Sequence, residues 1–301
     1  MKTRAKEKVS KEKVSNEKKF LAKFGKDFLS SVPTCPGVYF IYDDSEQLIY
    51  IGKAKNLRRR LGQYKNAKRR KKHAKMRSIV ADAQRIEYRT LASDLDACLE
   101  ETRLIQQHRP KWNVAGAFYF LYPMVGIQRK DGLTLFCYTT QPELFPGFSF
   151  HGAYRSRHLT KNAFFALMDL LSYVGHRVKK PSRQTGEARH SYIVSFRQLP
   201  ESLAHDWALY WKGESKQACE NLVLSLVENA GARHSPRKIQ EGLNELKRFW
   251  RHEAAPLQRA IERTEWPSFP VPQRERDILF LKSKDQRARK KLREPSSPLS
   301  V

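Results

Sequence analysis

The stretch that most constrains this chain is Pro36 to Tyr64, PGVYFIYDDSEQLIYIGKAKNLRRRLGQY. Two short runs rich in β-branched and aromatic residues, Val38 to Tyr42 and Leu48 to Ile51, flank the acidic turn 43–47, which is the pattern of a β-hairpin. A helix must follow almost at once. Asn56 offers an N-cap side chain, and Leu57, Leu61 and Tyr64 fall at i, i+4 and i+7, the spacing of one buried stripe. On that wheel Arg60 borders the stripe, whereas Arg58 and Arg59 point outward. The local unit is hairpin, Gly-Lys turn, helix.

The charge around this unit is one-sided. No acid occurs between Glu46 and Asp82, while thirteen lysines and arginines lie from Lys53 to Arg77. A merely solvated face would carry glutamates among them. The whole chain of 301 residues has a formal charge of +27, and such an excess points to a polyanion, nucleic acid above all. Lys55, Arg58, Arg59, Lys65, Lys68, Arg69, Arg70, Lys71, Lys72 and Lys75 are the expected DNA-binding residues. Each cation that neutralises a phosphate releases counterions, so affinity is expected to fall steeply with salt.

Other sequence features bound the rest. The four cysteines, at 35, 98, 137 and 219, are too far apart for a CxxC knuckle and read as reduced thiols of a cytoplasmic protein. The longest apolar run, 117–127, contains Pro123 and is too short to cross a bilayer. Residues 1–28 carry a duplicated Lys-Glu-Lys-Val-Ser and are expected to form a basic arm, disordered or weakly helical, with little to bury. Ile86 to Leu91 alternates as a third strand. Ser93 and Asp96 have capping-box spacing, opening a helix from Asp94 to about residue 107. Of its adjacent glutamates, periodicity sends Glu100 to solvent and turns Glu101 toward the sheet side. Pro110 ends that helix. Beyond it come strands at 122–128 and 133–140, a helix after Phe150 to Ser156, a loop at 179–190, and helical periodicity at 217–227 and 238–263. The last pair reads most simply as helices packed on their own domain, with a partner-binding pair as the sharper alternative.

Gly37-Val38-Tyr39 and Tyr50-Ile51-Gly52, ten to eleven residues apart and followed by Lys53, Asn56 and Arg60, resemble the signature of the GIY-YIG endonuclease superfamily. The resemblance spans residues 32–115 and is nearest to the N-terminal nuclease domain of excinuclease UvrC and its shorter homologue Cho. Asp96-Ala97, Glu101, Leu104-Ile105 and Arg109 to Val114 are similar to a second family segment, with Asp96 and Trp112 as departures. Residues 150–156 and the helix after them are more faintly similar to the UvrC region following the nuclease.

The resemblance implies an α+β fold: a GIY-YIG domain at 29–115 with a small central antiparallel or mixed three-stranded sheet flanked by helices. A UvrC-like middle region of strands and a helix is expected at 116–180, a mostly helical region at 181–285 and a basic tail at 286–301. It implies a metal-dependent DNA endonuclease that nicks one strand, as in nucleotide excision repair. By the same resemblance Glu101 binds one divalent cation, Mg²⁺ or Mn²⁺, and Arg60 clamps the scissile phosphate. Tyr50 acts as general base or orients the water, with Tyr39 hydrogen-bonded beside it; the choice of base between the two phenols stays open. A phenol needs a cation nearby to serve as base, and Lys53 is the one the motif offers. Asn113 holds the Glu101 end. DNA is the implied partner, with a damage-loading protein such as UvrB as another. UvrC and Cho continue into a cysteine cluster, but no cysteine occurs here between 137 and 219, so no iron–sulfur cluster is expected. Taken singly, a strand tyrosine is usually packing, Arg60 a solvated helix residue and Glu101 a surface acid. Their joint occurrence in family order singles them out.

Overall fold

A computed structural model describes residues 15–178 and 190–293. The start of the expected arm, most of the loop at 179–190 and the end of the tail therefore lie outside the described residues. The chain divides into two compact units, 1–117 and 118–301. No helix among the described residues is long and apolar enough to cross a membrane.

In the first unit the elements are α1 (Asn16–Phe24), α2 (Phe28–Ser31), β1 (Gly37–Tyr42), β2 (Leu48–Ala54), α3 (Leu57–Lys65), α4 (Ala74–Asp82), β3 (Arg85–Thr90) and α5 (Asp94–His108). The sheet is antiparallel with order β2-β1-β3, so β2 is an edge. Asn56 caps α3 by accepting from the Arg59 N–H, and Ser93 caps α5 by accepting from that of Asp96, as their spacing predicts. Val38 and Ile51 on one sheet face pack against Leu104 and Ile105 of α5. Tyr39, Ile41 and Tyr50 on the other face pack against Leu57, Leu61, Tyr64, Ile79 and Val80 of α3 and α4. Register shifts between Ile41 and Tyr42, leaving Ile49 as the extra residue of a β-bulge. Ile49 and Tyr50 consequently both join the cluster beneath Tyr39.

Of the two expectations for the arm, disordered or weakly helical, residues 16–24 take the second and form α1, but the expectation that they bury little is corrected. Phe20 is wholly buried and its ring lies 4.8 and 6.1 Å from those of Phe24 and Phe28. Apolar residues four apart outweigh the surrounding lysines once there is a core to receive them.

The second unit holds β4 (Met124–Lys130), β5 (Leu133–Thr139), β6 (Ser149–His151), α6 (Arg157–Leu171), β7 (His176–Arg177), β8 (Tyr192–Arg197), α7 (Glu201–Lys212), α8 (Gln217–Glu228), α9 (Ala230–Arg233), α10 (Pro236–Phe249), α11 (Ala255–Thr264) and α12 (Arg276–Arg293). A π-helical turn at 250–254 joins α10 to α11. The sheet order is β6-β4-β5-β8-β7. Because β8 completes the ladder beside β5 and Phe196 packs against Phe136, the strands and helix of 124–177 and the helices after 190 share one core. The expected boundary at 180 is thus not a domain boundary. Residues 286–293, expected as tail, continue α12.

Candidate active site

The phenol of Tyr39 is the centre of the site and is 0% exposed. Its oxygen lies 3.0 Å from that of Tyr64, and it accepts a hydrogen bond from Arg60 Nε at 3.1 Å. The rings of Tyr39, Tyr50 and Tyr64 pack with centroids 5.9–6.4 Å apart. Close approach requires the signature glycine of β2: a Cβ on Gly52 would sit 2.3 Å from the Tyr39 hydroxyl oxygen. Burial, reinforced by the neighbouring Tyr50, holds the Tyr39 phenol far above its usual range despite Arg60. Tyr39 is therefore a fixed, protonated hydrogen-bonding group. Arg60 is held in turn by Gln63, to whose Oε1 it donates at 2.7 Å.

Glu101 comes from α5 on the opposite face, yet it meets this cluster at the free edge of β2. That edge presents outward-facing backbone groups at alternate residues. Ile49 accepts from the Trp112 N–H at 3.0 Å. The Asn113 amide closes both groups of Ile51, accepting from its N–H at 2.9 Å and donating to its carbonyl at 2.8 Å. Glu101 Oε1 accepts the Lys53 N–H at 3.0 Å. Asn113 thus fixes the strand two residues from Lys53, whose N–H bonds Glu101. Burial raises the Glu101 carboxyl above its ordinary range, opposed in part by the Lys53 amide and ammonium and by Arg60. The same edge brings Lys75 within reach: burial and then Arg60 lower its ammonium, Glu101 raises it, and Nζ lies 5.2 Å from the Tyr50 ring centroid.

The family model of the UvrC-like GIY-YIG domain matches residues 35–114. Residues 35–114 are a UvrC-like GIY-YIG domain. UvrABC system protein C of Pseudothermotoga lettingae is 38% identical over 98 residues, which are 33% of this chain and 18% of that protein. The same protein of Francisella tularensis is 41% identical over 106 residues, 35% of this chain and 17% of the relative. The chain therefore spans less than a fifth of the length of either. The GIY-YIG N-terminal endonuclease domain of UvrC from Thermotoga maritima, crystallised bound to its catalytic divalent cation, magnesium, is 35% identical; the match covers 29% of this chain and 91% of that one, with a TM-score of 0.26.

Within the GIY-YIG domain the donor set suits a hard cation. Among the described residues no three or more His, Cys, Asp or Glu side chains cluster, but Mg²⁺ keeps most of its waters and is commonly held by one or two carboxylates plus substrate phosphate. Glu101 is half-buried with its carboxyl pushed toward neutrality, so an environment that disfavours its bare charge would favour a cation there.

Several members of the expected set have other engagements. Lys53 points its side chain to the α5 face, where Nζ pairs with Asp94 at 3.0 Å. Burial works to lower that ammonium, but the bonds to Asp94 and Cys98 raise it overall. The cation over Tyr50 is Lys75, which the sequence placed only among the DNA contacts. Arg58 is a structural clamp, donating to the carbonyls of Val32 and Ser30 at 2.7 and 2.9 Å, because its long side chain reaches the preceding loop. Lys65 pairs with Glu17 and Lys55 with Asp94. Arg59, Lys68, Arg69, Arg70, Lys71 and Lys72 are exposed. Tyr64 is the group that sequence reasoning missed. Its i+7 position announces burial, and nothing local signals that its hydroxyl meets that of Tyr39.

Proposed function

We propose that this chain is a metal-dependent DNA endonuclease that nicks one strand, with Tyr39, Tyr50, Arg60 and Glu101 as its catalytic set. The observation that carries the proposal is a convergence: Arg60 bonds the Tyr39 hydroxyl at 3.1 Å, and Glu101 accepts the N–H of Lys53, the residue after the signature glycine beside that hydroxyl, near enough to feel the Arg60 charge. A divalent cation, Mg²⁺ or Mn²⁺, would be held by Glu101 and would supply charge neutralisation at the phosphate and the leaving oxygen. Arg60 binds the scissile phosphate, its planar donors suiting two oxygens. Tyr39, fully buried and hydrogen-bonded to both Tyr64 and Arg60, orients Arg60. Tyr50, at 9% exposed, is the phenol with access to solvent and is assigned the base role, with Lys75 as the adjacent cation. Lys53 and Asn113 are assigned positioning roles at the strand edge.

The relatives are UvrABC system proteins, which supports incision of damaged DNA in excision repair and a loading partner such as UvrB. Branched or mobile-element DNA is the alternative substrate. A DNA-binding protein that does not cut is the reading from another class, and the Tyr39–Arg60 hydrogen bond together with Glu101 on the neighbouring strand edge speaks against it. Supercoiled plasmid with Mg²⁺ separates these. Glu101→Ala and Arg60→Ala should each reduce nicking by about a hundredfold or more while duplex binding persists. Equal background cutting in all three proteins would favour the binding module. A lesion-bearing duplex, with and without UvrB, then tests the repair assignment.

A further inference from the structure

The second unit carries a cleft of about 790 Å³ between α8, α10 and α11, with the aromatic floor of Tyr210 and Trp250. Four cations rim it: Lys216, Lys247, Arg251 and Arg259, all exposed. Among the described residues none of the four has an ion-pair partner. Several other cations of this unit are paired with acids, as in Arg237–Glu241, Arg248–Glu245, Lys212–Glu214 and Arg129–Glu201. Among the described residues lining the cleft, Glu220 is the one acid.

The wall is apolar where a surface helix should be polar. Buried Ala218, Leu222 and Leu226 form the inward stripe of α8, but Leu224 and Val227 are 66% and 64% exposed, and Val223 beside them is 38% exposed. They form a second stripe continuing the mouth of the cleft. A solvated helix gains nothing from such a stripe, which marks contact with another apolar surface.

We propose that this cleft is a docking groove for an acidic amphipathic helix of a partner protein. The aliphatic stripe and Leu243 would receive apolar residues at helical spacing, and the four unpaired cations would meet carboxylates on either flank. A single-stranded nucleic acid fits less well, because bases need an open aromatic face. The Trp250 ring packs on Tyr210 at 5.2 Å between centroids and carries Lys216 Nζ at 5.7 Å. The exposed apolar groups are aliphatic.

The test uses the full chain and a fluorescently labelled, stapled helical peptide with leucines at i, i+3 and i+7 and glutamates on the flanks. Its control is a sequence-scrambled peptide of equal composition. The helical peptide should bind by anisotropy, and binding should weaken about tenfold or more in Lys247→Glu/Arg251→Glu and in Leu224→Glu. Plasmid nicking and thermal melting should stay at wild-type values, which separates this groove from the nuclease site. Equal binding of the scrambled peptide, or unchanged affinity in the variants, would overturn the proposal. Competition by a single-stranded oligonucleotide lost in the same variants would make the groove a nucleic-acid site instead. Concentration-dependent dimerisation abolished by Leu224→Glu would give it to a second copy of the chain.

Discussion

Glu101 holds a carboxyl where burial raises its pKa, and both the activity and the stability of the domain should register it. Folding favours the protonated form of such a group. Its contribution to stability is present below the unfolded pKa and is lost as pH rises through the folded one. Glu101→Gln keeps an oxygen to accept the Lys53 N–H and removes the charge, so its Tm at pH 7 should exceed that of the wild type. The gap should close below the ordinary carboxylate range, while nicking is lost at every pH. Calorimetry from pH 3 to 8 checks this, and a lower Tm for the variant at pH 7 would contradict it. Gly52 makes the opposite case, since its missing Cβ leaves room for the Tyr39 hydroxyl. Gly52→Ala should cost about 1–3 kcal/mol through overpacking. By displacing the oxygen that Arg60 bonds, it should also lower nicking more than duplex binding, as gel-shift and plasmid assays on one preparation would reveal.

At the scale of elements, the hairpin, the N-caps of α3 and α5 and the buried stripe of α3 were legible because each is a local pattern of side chains and spacings. What closes the site was not. The outer edge of β2 is satisfied by Trp112, Asn113 and Glu101, about fifty to sixty residues further along the chain, and no period announces a pairing at that separation. The same limit hid β8, whose longer pairing among the described residues is with β5, far back along the chain. With α1 the difficulty was different. Phe20, Phe24 and Phe28 recur at helical spacing within a lysine-rich run, and composition obscured them. α1 also bears on the site, for the Asn16 side-chain amide donates to the Tyr64 carbonyl at 2.6 Å, at the end of the helix that presents Tyr64 to Tyr39. Phe20→Ala should destabilise the first unit by about 3–5 kcal/mol. In chemical denaturation its midpoint should fall with the slope unchanged, and an unaltered midpoint would mean that α1 adds nothing to the core.

For the molecule as a whole, a charge of +27 matters through where its cations are free to meet phosphate. Lys68, Lys71 and Lys72 are exposed on the segment between α3 and α4, and among the described residues their ammonium groups have no ion-pair partner. Arg58, a few residues earlier and equally basic, spends its donors on two backbone carbonyls. Composition cannot distinguish these cases, but salt dependence can. If each lysine displaces counterions from one phosphate, replacing all three with glutamine should reduce the slope of log K against log salt by about 2.7. Wild type should then lose roughly fortyfold more affinity than the triple variant between 50 and 200 mM salt. Arg58→Gln should leave the slope unchanged and lower Tm, because the loop carbonyls lose their donor while the phosphate surface stays intact. Fluorescence anisotropy with a duplex across that salt range measures both. A slope change for Arg58→Gln as large as that of one lysine would mean that the clamp opens to bind DNA, and that α3 faces the backbone with its whole arginine run.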